Sequence, residues 1–123
     1  MSRRVLVVEA GSEFSSLVRA GVADIDPGIQ VDRADSVNAA VVQLAASGYD
    51  LIISDDELDG TRAGLFLRHL CERRFPAIPF VLLASGVEPG EDGGAEPDEA
   101  GDEALLRKPF SVGECRERLE RLL

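Results

Sequence analysis

The sequence predicts an α/β domain in which a parallel sheet is covered by helices on both faces. Three observations carry that expectation. Continuous apolar runs such as VLVVE (Val5–Glu9) and LII (Leu51–Ile53) lack the alternation of a half-exposed strand, as strands buried on both faces do. Between such runs, apolar residues recur at helical spacing. The two kinds of segment alternate along 123 residues, the size of one domain with one sizeable core.

Taken in order, Arg4 to Ala10 reads as the first strand. Phe14, Leu17, Val18, Val22 and Ile25 then mark a helix with Ser12 as its N-cap. Pro27-Gly28 turns the chain into a short second strand, Ile29 to Val31, less apolar and placed near a sheet edge. Ser36 caps a second helix carrying Val37, Ala40, Val41 and Leu44, with Gly48 at its end. Leu51 to Ile53 is the third strand. Ala63 to Arg74 is a third helix, with Leu67 and Leu70 inward and Pro76 beyond its end. Phe80 to Leu83 and Ala104 to Arg107 are the fourth and fifth strands. Ser111 and Glu114 form a capping box for a last helix, whose Val112, Cys115, Leu119 and Leu122 share a face.

One crossover departs from this pattern. Residues 86–104, between the fourth and fifth strands, hold eight acids, five glycines, two prolines and no basic residue. Such a segment cannot bury an apolar face, so an irregular, flexible acidic insert is expected, with at most a helical turn near Asp98 to Ala100. Set against the chain's formal net charge of −10, its −8 leaves only −2 for all other residues. The acidity argues against direct nucleic-acid contact. No apolar run is long enough to span a membrane. Cys71 and Cys115 lack metal-like spacing and read as free thiols of a cytoplasmic protein.

In an open parallel sheet, reactive groups gather beyond the carboxyl ends of the strands. Glu9 follows the first strand, Asp55 the third and Lys108 the fifth. A nucleophilic carboxylate, a lysine to offset phosphate charge and further acid to hold Mg²⁺ would suit phosphoryl transfer.

At these residues the chain resembles the receiver domain of two-component response regulators, the chemotaxis-regulator-like branch of the flavodoxin-like fold. VLVVEAGSEF is similar to that family's first strand and acidic pair, YDLIISDDELDG to its phosphoacceptor strand, IPFVLLAS to its fourth strand and AGDEALLRKPFS to its fifth. The resemblance implies a doubly wound, five-stranded parallel sheet in the order 2-1-3-4-5 across residues 1–123. The fourth helix would be replaced by, or reduced to, the acidic Gly/Pro loop. It also implies Asp55 at the phosphoacceptor position, Lys108 beside it, a cis Lys108-Pro109 bond, and a metal site built from Glu9, Asp55 and the Glu57 backbone carbonyl.

Several family features are altered. The second acid is Ala10, the hydroxyl residue after the fourth strand is Ala84 with Ser85 adjacent, and the aromatic switch residue is Leu105. The loop after Asp55 is one residue longer, with Asp59 where a proline is usual. A missing acid weakens Mg²⁺ binding and the neutralisation of phosphoryl charge. A missing hydroxyl removes a charge-assisted hydrogen bond of about 1.5–3 kcal/mol. The resemblance thus implies an atypical receiver. It is expected to act as a signalling protein–protein interaction module, with a Mg²⁺/phosphoryl site that is weak or absent. The alternative is an active receiver phosphorylated on Asp55 by a histidine kinase. A small flavodoxin-like enzyme or ligand-binding domain ranks below both, because the first turn, EAGSEF, is no Gly-rich phosphate loop. Expected partners are a regulatory protein, a histidine kinase or an output domain. No enzyme activity is expected beyond self-phosphorylation and dephosphorylation, and the isolated domain is expected to be monomeric.

Overall fold

The chain alternates strand and helix through β1 (Arg4–Val8), α1 (Glu13–Ile25), β2 (Gln30–Ala34), α2 (Val37–Ala46), β3 (Leu51–Asp55), α3 (Ala63–Arg74), β4 (Phe80–Ala84), β5 (Leu105–Arg107) and α4 (Val112–Leu122). This computed structural model describes residues 3–11, 13–58, 61–84, 105–107 and 111–123. The strands form one sheet in the order β2-β1-β3-β4-β5, and every neighbouring pair is parallel. The expected Ser12 cap, the acidic insert at 86–104 and the Lys108-Pro109 bond lie outside the described residues.

Alternate strand residues serve opposite faces, which is why the strands read as unbroken apolar runs. Val5, Val7, Leu51, Ile53, Val81 and Leu83 pack under α1 and α4 with Val18, Val22, Cys115 and Leu119. Leu6, Val8, Ile52, Phe80 and Leu82 pack on the other face with Ala40 and Leu44 of α2 and Leu67 and Cys71 of α3. Both cysteines are free and buried, and burial pushes each thiol up to about 11. No helix among the described residues is long and apolar enough to cross a membrane.

Several strand boundaries and one helix face differ from the sequence expectation, with β3 reaching Asp55 rather than Ile53 and β4 reaching Ala84 rather than Leu83. The ladder of β1 ends at Val8 rather than Ala10, because the chain turns at Glu9 toward α1. β2 runs to Ala34, past the expected end at Val31. The extension includes Asp32 and Arg33, since an edge strand tolerates charge where side chains find partners at the rim. On α3, Leu70 is only half buried. The inward row is Gly64, Leu67 and Cys71, which obeys the i, i+3, i+7 spacing of one helix stripe. The caps of α2 and α4 form as expected: Ser36 accepts from the Ala39 amide, and Ser111 and Glu114 close a capping box.

Edge strand β2 is pinned by the chain's single tyrosine. The Tyr49 hydroxyl donates to Asp32 Oδ2 at 2.7 Å, and the Arg4 guanidinium lies 5.6 Å from its ring centroid. Burial, reinforced by the Asp32 carboxylate, pushes Tyr49 up to about 12. The Tyr49 hydroxyl and then Gln30 hold Asp32 below the usual carboxylate range. The two groups act on stability at opposite ends of the pH scale. The Tyr49 contribution is whole below about pH 10 and is lost as pH rises toward about 12, because the unfolded phenol ionises first. The Asp32 contribution is present above about pH 4 and fades as pH falls. The chain has no tryptophan, so phenolate absorbance follows Tyr49 alone. At about pH 11 the urea-unfolded chain is expected to be mostly ionised and the folded one mostly not. Coincident titration curves would show that the hydroxyl is not held.

Candidate functional site

The carboxyl ends of β1, β3, β4 and β5 meet at one edge of the sheet. Val8 pairs with Ser54, Asp55 with Leu83, and Ala84 with Arg107. Glu9 and Asp55 each lie one residue beyond the Val8–Ser54 pair, so the register sets them at the same level. Asp55 is the last residue of β3 and is half buried. Ala84 closes β4, one residue past the expected strand end at Leu83, and Leu105 is the first residue of β5. Their side chains, together with Ser85, Asp59 and Lys108, lie outside the described residues.

Glu9 is 2% exposed, and its carboxylate has a definite job. Oε2 accepts from the Phe14 amide at 2.8 Å and Oε1 from the Ser15 amide at 2.7 Å. These are the second and third residues of α1, whose first-turn amides have no partner within the helix. A carboxylate there satisfies both donors and complements the helix dipole. The extra methylene of glutamate over aspartate is what lets residue 9 span from the strand end to the helix.

Arg33, at the far end of β2, holds the turn that follows Glu9. Its Nη2 donates to the carbonyl oxygens of Glu9 and Ala10, each at 2.9 Å, and of Gly11 at 2.6 Å. Nε adds a bond to Gly11 at 3.1 Å. The Gln43 amide in turn donates to the Arg33 carbonyl at 3.1 Å, which ties the strand end to α2.

On the other flank, the backbone after Asp55 is folded tightly against α3. The Asp56 amide donates to the Leu83 carbonyl at 3.1 Å, and the Asp56 carbonyl accepts from the Gly64 amide at 3.1 Å. That bond caps α3, whose N-cap residue Arg62 makes no side-chain capping bond. A Cβ on Gly64 would overlap the Asp55 carbonyl oxygen and stand 2.6 Å from Asp56 Cα. Glycine is therefore what lets the helix end reach the Asp55–Asp56 peptide. Glu57 is exposed, while Leu58 is 2% exposed and forms a two-bond bridge with Thr61 that closes the loop.

The bonds of Glu9 and its turn bear directly on Mg²⁺. Both oxygens of Glu9 are taken by amides, residue 10 is alanine, and the carbonyls of residues 9–11 are occupied by a guanidinium. Among the described residues, no group of three or more His, Cys, Asp or Glu side chains could hold a metal ion. With these bonds in place, Glu9 and the carbonyls of residues 9–11 do not offer Mg²⁺ the oxygen-rich shell it requires.

Three contributors were missed from sequence. Arg33 is hidden because the apolar run that marks the strand ends at Val31. Gly64 had a signal: glycine is a poor helix former, and its place in the first turn of α3 marks a close approach. Leu58 stood among acids and passed for loop.

No family model matches the sequence. The KDP operon transcriptional regulatory protein KdpE of Escherichia coli is 30% identical over 115 residues, covering 94% of this chain and 48% of that protein. The chain thus spans about half the length of that relative. Among solved structures, the chemotaxis response regulator CheY4 of Vibrio cholerae matches over 100% of both chains with a TM-score of 0.72 and 22% identity. The receiver domain of NtrX from Brucella abortus matches over 97% of both, with a TM-score of 0.74 and 22% identity. The chain is related in sequence to response regulators and carries the fold of their receiver domains.

Proposed function

We propose that this domain is a signalling receiver that works as a protein–protein interaction module, with an impaired site for Mg²⁺ and phosphoryl transfer. The observation that carries this reading is the commitment of Glu9. The acid that should face a metal at the sheet edge instead spends both oxygens on the first turn of α1. The large apolar side chains exposed among the described residues, Val42, Leu65 and Phe66, all lie on α2 and α3, which suits a domain that meets other proteins. Its partners would be a regulatory protein, a histidine kinase or an output domain in the cytoplasm.

A second reading, phosphorylation of Asp55 by a histidine kinase, is favoured by one feature. Asp55 ends β3 at the carboxyl edge and is half buried rather than lost in the loop. In that reading Lys108 would offset the phosphoryl charge, and Glu57 would offer its carbonyl to a metal.

Acetyl phosphate separates the two. Transfer to an Asp55 carboxylate oxygen forms an acyl phosphate and releases acetate, and the adduct is visible by intact mass. With millimolar Mg²⁺, no adduct is expected, and beryllofluoride is expected to leave the amide spectrum near Asp55 unchanged. A stable adduct that disappears in Asp55→Asn would establish the active reading instead.

A further inference from the structure

Three consecutive carbonyl oxygens, of Glu9, Ala10 and Gly11, converge on one nitrogen of Arg33. Consecutive carbonyls pointing to one spot build a region of negative potential, the same oxygen donor pattern that binds hard cations. Here a buried carboxylate lies next to it, which deepens that potential. The positive charge that meets these oxygens is covalently part of the chain. We propose that the Glu9–Gly11 turn is a backbone cation site whose resident cation is the Arg33 guanidinium. Arg33 is then a positioning residue: it fixes the turn, the turn fixes Glu9, and Glu9 fixes the first turn of α1.

Two features favour a guanidinium over an adventitious contact. Its Nε and Nη2 reach the turn together, with Gly11 accepting from both, the forked geometry that an ammonium lacks. The Arg33 backbone is itself held from both sides, by the pairing of β2 with β1 and by Gln43. A side chain anchored in this way loses less freedom on forming its bonds. The carboxyl edge therefore keeps one shape with or without a divalent ion. The inference takes this edge as the functional one, following the proposed function, but it is tested by readouts that do not depend on phosphorylation.

The test uses the whole chain and the amide resonances of Gly11, Phe14 and Ser15. In Arg33→Ala these three are expected to shift or broaden, and guanidinium ion at tens of millimolar is expected to restore at least half of the shift. In the unaltered protein, Mg²⁺ at millimolar concentration is expected to leave them in place. If Arg33→Ala does not fold, Arg33→Lys and Arg33→Gln take its place. The charged lysine is expected to keep the three resonances closer to their original positions than the neutral glutamine. Unmoved resonances in Arg33→Ala, a shift that guanidinium does not reverse, glutamine serving as well as lysine, or a saturable Mg²⁺ response in the unaltered protein would each overturn the proposal.

Discussion

Gly64→Ala is expected to destabilise the domain by about 2–3 kcal/mol, the cost of forcing atoms into a filled space. The added Cβ meets main chain, 2.9 Å from the Asp55 carbonyl carbon and 2.6 Å from Asp56 Cα, so no side chain can rotate away to admit it. Either α3 retreats, losing the bond from the Gly64 amide to the Asp56 carbonyl, or the end of β3 moves. Better helix propensity pushes the other way by up to about 1 kcal/mol, so the sign of the net effect is informative. The structure supplies its own control. Gly113 occupies the same second position of α4, where the nearest atom to a new Cβ is Ser111 Oγ at 3.8 Å. Gly113→Ala is expected to be neutral or stabilising by up to about 1 kcal/mol. Urea unfolding of the two variants decides: equal behaviour would show that α3 does not press on the Asp55–Asp56 peptide.

Glu9→Ala is expected to cost about 2–3 kcal/mol, because two first-turn amides, one buried and one part-buried, lose a charged acceptor. Glu9→Gln should cost less, since one oxygen can still accept while the new NH₂ group faces an amide donor. Helix α1 is the element affected, so hydrogen exchange at Phe14 and Ser15 should rise more than exchange in α4. A metal-ligand role predicts another pattern: affinity for Mg²⁺ would fall while stability in metal-free buffer changed little. A Glu9→Ala variant within about 0.5 kcal/mol of the original, the range of ordinary surface changes, would argue for that role.

Both effects turn on residues that the sequence places well and explains poorly. The helical spacing of Phe14, Leu17, Val18 and Val22, and the runs at Val5 and Leu51, are periodic signals that survive in any context, so the fold could be read from them. The level of Asp55 at the sheet edge followed from strand order. What Glu9 bonds to could not be read, because the amides of residues 14 and 15 become its partners only after the chain turns. A glutamate after a strand is compatible with a metal ligand, a surface charge or a cap, and only geometry chooses among them. Arg33 is a stronger case. Its value lies in reaching 22 residues back to Gly11, and local propensity has no view of that distance. Ser36, Ser111 and Glu114 were readable for the opposite reason, since their partners are three residues away.

The sheet also has a consequence for how this domain can change over time. Among the described residues it parts the interior into two compartments with no buried residue in common, one roofed by α1 and α4 and the other by α2 and α3. A substitution in one compartment is felt by its immediate packing neighbours, while the other keeps its contacts across a wall of backbone hydrogen bonds. Lineages of this chain can therefore revise the α2–α3 side, exposed Val42, Leu65 and Phe66 included, while the α1–α4 side stays as it is. A new surface can be acquired without renegotiating the whole interior.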